Sequence, residues 1–232
     1  KTGVEEEIMA IHPSFPKSPY QILPPEYRWF PADEALRESS YEKLLPPLVH
    51  KIRQDVKEWR DANYEGATDT SKALLHWWFQ REHIMPQSDG SLFDFQYYFA
   101  QREAIETIIY LYEVVKVKDK YDLIRFDSSG AVSTGMFDED WLRLVIKMAT
   151  GSGKTKVMSL VIAWCYFHKL YEPDSKLATN FLVIAPNIIV LDRLRADFDG
   201  LKIFFKDPLL PDNGYEGQNW QDDFQLTLHI QD

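Results

Sequence analysis

The sequence predicts an α/β fold: a parallel sheet with helices on both faces, preceded by a small helical region. Three observations predict it. Residues 142–148 are an apolar run of strand length, broken by Thr150-Gly151-Ser152-Gly153-Lys154-Thr155 and followed by residues 157–164, apolar enough for a buried helix. Residues 180–185 repeat the pattern, with Pro186-Asn187 ending a strand before a helix through Ile189, Val190, Leu191, Leu194 and Phe198. Apolar strands alternating with helices bury both faces of a sheet, which is the parallel arrangement. Finally, 45% hydrophobic and 14% aromatic residues in a 232-residue chain supply a packed core, which excludes global disorder.

Taken in order, the chain opens as a proline-punctuated strap. Pro13, Pro16, Pro19, Pro24, Pro25 and Pro31 break any helix, and Tyr20, Tyr27, Trp29 and Phe30 give it an apolar side. Residues 38–62 turn helical, with Leu44, Leu48, Ile52, Val56 and Trp59 at three- or four-residue intervals. A second helix runs through Leu74, Leu75, Trp78 and Phe79 to end near Met85-Pro86. Trp77-Trp78-Phe79 reads as core rather than as a base-stacking platform, since aromatics mostly serve packing. Residues 99–115 form a third helix, whose apolar face is Ile105, Ile108, Ile109, Leu111, Tyr112 and Val115, and residues 116–140 read as a hairpin or exposed loop. A last strand is expected at residues 226–230. The division follows: 1–92 as strap and helical accessory region, 93–232 as an incomplete sheet-and-helix domain.

The loop at residues 150–155 carries the chemistry. Its two glycines let successive backbone N–H groups turn inward on a phosphate, and the helix N-terminus adds partial positive charge there. Thr150, Gly151, Ser152, Gly153, Lys154 and Thr155 are the candidate cradle, with Lys154 reaching the β- and γ-phosphates of ATP and Thr155 ligating Mg²⁺. The string arises by accident in roughly one in 10⁵ chains of this length. The general pattern places Gly where Met148 stands, which argues against a small-molecule kinase. Gln101 is the second candidate: a carboxamide accepts and donates together, so it can pair with adenine N6 and N7. Pro186, Asn187 and Arg193 sit at a strand end and helix start, where backbone N–H groups and a guanidinium can hold a nucleic-acid phosphate.

Net charge is −10, awkward for a nucleic-acid binder and pointing to weak, salt-sensitive affinity for this piece alone. One cysteine, Cys165, lies in an apolar run and reads as a small buried hydrophobe; a disulfide framework is excluded. The absence of a signal peptide or membrane-length apolar run predicts a soluble cytoplasmic protein with no membrane partner.

Gln101, the loop at residues 149–155 and the strand end Ile184-Ala-Pro-Asn187 resemble three ordered motifs of superfamily-two DEAD/DEAH-type helicases and translocases. More narrowly, Tyr98-Phe-Ala-Gln-Arg-Glu-Ala-Ile105 and Val145-Ile-Lys-Met-Ala-Thr-Gly-Ser-Gly-Lys-Thr155 resemble the restriction subunit of type III restriction enzymes; the similarity covers about residues 93–205. The resemblance implies a RecA-like P-loop NTPase sheet, an ATP-driven motor on double-stranded DNA, and a possible methyltransferase or specificity subunit as partner. It makes Gln101 the adenine reader and lays Pro186 and Asn187 along the DNA backbone. Such enzymes activate water with an Asp-Glu pair on a later strand and complete hydrolysis with arginines of a second motor domain. Asp138-Glu139-Asp140 precedes the loop and reads as a loop face; Asp222-Asp223 comes too late. The expectation is an N-terminal piece of a longer enzyme, binding ATP better than it hydrolyses it. The competing expectation is a non-catalytic nucleotide-binding interaction module.

Overall fold

The computed structural model describes residues 17–22, 24–25, 48–127, 130, 132–133, 135 and 143–230. Tyr27, Trp29, Phe30, Asp138-Glu139-Asp140, most of the proline strap and the first half of the first expected helix lie outside these. The chain divides into two compact units, Lys1–Glu58 with Val117–Leu142, and Trp59–Lys116 with Arg143–Asp232.

In the first unit, helix α1 (Val49–Asp61) buries Val56 and carries the i,i+4 ion pair Lys51–Asp55 on its outer side. Its last residues, Trp59 to Asp61, count with the second unit. In the stretch expected as loop, the described residues include a short helix, named α4 in chain order (Lys120–Ile124). Asp119 starts it, its carboxylate accepting from the N–H groups of Tyr121 (2.8 Å) and Asp122 (3.3 Å), which are otherwise orphaned at a helix start.

The described residues of the second unit are mostly helical. Helix α2 (Asp69–Phe79) is capped by Thr68, and buries Leu74, Leu75, Trp77 and Trp78. The two indoles are core, and each finds a carbonyl: Trp77 donates to Pro208 (2.9 Å) and Trp78 to Leu209 (2.7 Å). This helix stops at Phe79, short of the expected Met85-Pro86, because the chain turns back there. The His83 imidazole Nε2–H donates to the Trp77 carbonyl (2.6 Å), closing the helix end. Met85 and Pro86 instead lie in β1 (Ile84–Pro86), which pairs antiparallel with β2 (Leu92–Asp94).

Helix α3 (Phe99–Ile109) buries Ile105 and Ile109 and runs on as a π-helical turn, Tyr110–Val114, as the periodicity predicts. Helix α5 (Lys154–Tyr171) spans 18 residues, or roughly 27 Å at 1.5 Å per residue. Its Leu160, Ala163, Trp164 and Phe167 are fully buried, and it packs on both α2 and α3. Trp164 Nε1 donates to Ser71 Oγ (2.7 Å), fastening α5 to α2. Helices α6 (Ile188–Phe198), α7 (Lys202–Lys206) and α8 (Trp220–Asp223) add Phe198, Phe204 and Trp220 to the same core, and Phe224, just after α8, joins them.

The three expected parallel strands do not form ladders among the described residues; the hairpin is the sheet there. Residues 143–149, 180–185 and 226–230 carry no strand assignment, and Val145, Leu182 and Ile184 stand 89%, 85% and 79% exposed. A strand satisfies its N–H and C=O groups only through a neighbour, so an apolar run without one stays solvated.

Candidate functional site

The loop at residues 149–155 is shaped by its glycines. Gly151 and Gly153 have φ of +82° and +80°, left-handed values that a Cβ strains. Gly153 is the N-cap of α5, and no side chain caps that end. The first N–H groups of an 18-residue helix are therefore free of a side-chain acceptor, the condition under which a helix start receives an anion. Ser152 Oγ donates to the Ala149 carbonyl (2.7 Å), tightening the turn. Lys154, exposed, folds back so that Nζ donates to the carbonyls of Met148 (3.1 Å) and Ala149 (2.9 Å). A cation held by neutral carbonyls at the loop is available to a stronger acceptor such as a phosphate oxygen. Thr155 is half-buried on the first turn of α5, and its neighbour Lys156 forms an ion pair with Asp207.

Gln101 lies against this loop across 51 residues of sequence. Its carboxamide Oε1 accepts from Tyr98 N–H (2.9 Å), and Nε2 donates to the Ser152 carbonyl (3.1 Å). The approach is so close that a Cβ on Gly153 would stand 2.1 Å from Gln101 Nε2. Gly153 thus answers two demands at once, the left-handed turn and room for the amide. Gln101 is 7% exposed, and its two bonds leave one lone pair and one N–H uncommitted.

The third group is not joined to these. Asn187 Oδ1 accepts from Val190 N–H (3.0 Å), making Asn187 the N-cap of α6. Pro186 and Arg193 are exposed. None of the three bonds to the loop among the described residues. A cavity of ≈ 650 Å³ lies elsewhere in this unit, lined by Thr70, Lys72, Glu172, Glu216 and Trp220 among others and by no loop residue.

Sequence reasoning missed the polar partners around α3. Glu106, fully buried, joins Arg60, Tyr64 and Arg102. The i,i+4 spacing of Arg102 and Glu106 was the signal available; the contribution of Arg60 and Tyr64 is non-local. It also missed Glu113, which is buried at the π turn. Glu113 accepts from Thr68 N–H (2.7 Å) and from Ser71 Oγ, and faces His168 Nε2 at 3.2 Å. Burial works to raise the Glu113 pKa, but the neighbouring His168 and the bonds from Ser71 and Thr68 outweigh it and hold the carboxyl below its ordinary value.

A family model described as type III restriction enzyme, res subunit, matches residues 94–227, more than half of the chain. The chain belongs to this family. Membership in the type III restriction res-subunit family brings a P-loop NTPase fold and helicase-like ATP hydrolysis, for which ATP and Mg²⁺ are the general requirement. No curated protein and no solved structure matches the chain. The residues present fit a Mg-nucleotide: an uncapped helix start behind two left-handed glycines, one lysine on neutral acceptors and one first-turn hydroxyl. Among the described residues no cluster of three His, Cys, Asp or Glu side chains is placed to hold a metal, and no helix is long and apolar enough to cross a membrane.

Proposed function

We propose that this chain is the ATP-binding part of a DNA-dependent, helicase-like translocase serving a type III-like restriction or related defence enzyme in the cytoplasm. The observation that carries the reading is the contact between Gln101 and the loop, which puts a carboxamide and an anion-receiving helix start in one place. Gly151, Ser152 and Gly153, with Thr150 ahead of them, present backbone N–H groups to the phosphates, and Lys154 exchanges the Met148 and Ala149 carbonyls for β- and γ-oxygens. Thr155 is the residue that would hold Mg²⁺, and the ion would supply positive charge to the phosphoryl oxygens. Gln101 reads adenine N6 and N7 with its uncommitted lone pair and N–H, while keeping Tyr98 and Ser152.

In this reading residues 93–232 are the first part of a RecA-like motor, with residues 143–149, 180–185 and 226–230 as strands of its parallel sheet. Residues 1–92 are an accessory region. Pro186, Asn187 and Arg193 line the DNA backbone, Asn187 helping by organising the start of α6. A methyltransferase or specificity subunit is the natural partner.

The test is ATPase activity of the full-length gene product with and without double-stranded DNA, beside its Lys154→Ala variant. Stimulation by DNA that disappears in the variant supports the motor. Nucleotide binding without turnover under either condition replaces it with a non-catalytic interaction module, a reading consistent with the net charge of −10.

A further inference from the structure

Gln101 is aimed by the helix that carries it, and that helix is held by a buried polar ring. Glu106 lies five residues beyond Gln101 on α3 and is 0% exposed. Arg60 Nε donates to both of its oxygens (3.0 and 2.8 Å), with Arg60 Nη2 also on Oε2. Arg102 Nε (2.7 Å) and the Tyr64 hydroxyl (2.7 Å) both donate to Oε1. Arg102 Nη2 then donates to the Tyr64 oxygen (3.0 Å), so Glu106, Arg102 and Tyr64 close a ring. Burial, then the charge of Glu106, push the Tyr64 phenol far above its ordinary pKa, so it stays a neutral donor. The guanidinium of Arg60 lies over the Phe99 ring and that of Arg102 over Phe79, each 5.2 Å from the centroid.

A buried carboxylate, a buried guanidinium and a second, partly buried one are costly, and well-packed apolar residues often serve stability as well. What a fixed set of donor directions adds is register. Arg102 is the residue next to Gln101, so the rotation of α3 that satisfies Glu106 also sets where the Gln101 amide points. The tolerance is small: Gln101 Nε2 is 3.1 Å from the Ser152 carbonyl, and the neighbouring Gly153 leaves no room for even a methyl group. A shift of about 1 Å at a reacting or recognising group is enough to cost orders of magnitude in function.

We infer that Arg60, Tyr64 and Glu106 are positioning residues for base selection, fixing the rotation of α3 and hence the aim of Gln101 without touching the nucleotide. The inference rests on Gln101 as the adenine reader. Calorimetric titration of the 232-residue chain with Mg-ATP, Mg-GTP and Mg-tripolyphosphate separates the two claims, the last probe reading the phosphate cradle alone. Tyr64→Phe, which deletes one donor and one acceptor, should lower the preference for ATP over GTP by about three- to tenfold and leave tripolyphosphate affinity unchanged. Glu106→Gln should lower the preference further; should that variant not fold, Tyr64→Phe decides alone. Retained preference in Tyr64→Phe, beside its loss in Gln101→Ala, overturns the positioning role and spares the adenine reader. So does an equal loss for all three ligands, which is what a merely structural ring would give. No preference in the unmodified chain, or an unchanged one in Gln101→Ala, removes the reader and the inference with it.

Discussion

Helix α5 and the segment at residues 180–185 are both apolar runs, yet one is the centre of the second unit and the other stands in solvent. Leu160, Ala163 and Phe167 of α5 have no exposure, whereas Leu182 and Ile184 are 85% and 79% exposed. The difference is in where each backbone finds its hydrogen bonds. A helix satisfies its N–H and C=O groups from within, so α5 needs only an apolar surface, which α2 and α3 supply. A strand must borrow its partners from elsewhere in the chain, and none is in place beside residues 180–185 among the described residues. Apolar sequence is therefore enough to bury a helix and not enough to bury a strand.

The largest expected effect is on the buried side of that contrast. Trp164→Ala removes an indole that is 1% exposed and hydrogen-bonded to Ser71, and should cost about 3–5 kcal/mol in a urea titration. A cost below about 1 kcal/mol would mean that α5 is not the core element described. Gly153→Ala comes next. The new methyl both strains a φ of +80° and meets Gln101 at 2.1 Å, so Mg-ATP affinity should fall by roughly tenfold or more. Gly151→Ala is the sharper control, since its φ of +82° is strained but its surroundings are open; it should lose clearly less. Equal losses would remove the Gln101 contact from the account.

How much of this was legible in the sequence follows the same division. The loop, its helix and α3 were readable because their signals are local: two glycines before Lys154, a 3.6-residue apolar period, and no proline inside. The end of α2 was misread because what closes it is His83 folding back onto Trp77, a contact that no propensity encodes. Gln101 was singled out for a ligand, but its contact with Ser152 bridges 51 residues and could not be read off. Arg60, Tyr64, Glu106 and Glu113 look like ordinary surface polar residues in sequence; only packing reveals that they are buried.

Acid should separate the regions as well. Glu113 ties α2 to α5 with its folded pKa held below the ordinary 4.5, so the stability it contributes is present above that pH and is lost as pH falls through the lowered folded value. Denaturant titrations from pH 6 down to about pH 3 should show the decline, and Glu113→Gln should flatten it; an unchanged slope would contradict this assignment. The smallest effect is expected on the solvated side: Leu182→Ala should change stability by no more than about 0.5 kcal/mol. A loss above about 1.5 kcal/mol would instead show that residues 180–185 are buried in solution, as the proposed parallel sheet requires.

The central claim is that the glycine-curled start of α5 holds a triphosphate through Lys154. Its most direct test is the affinity of the purified chain for Mg-ATP before and after Lys154→Ala, measured on a variant that melts where the unmodified chain does. Removing charge-assisted hydrogen bonds worth roughly 1.5–3 kcal/mol each should weaken binding at least tenfold. Unchanged affinity in a folded Lys154→Ala chain would contradict the account at its foundation.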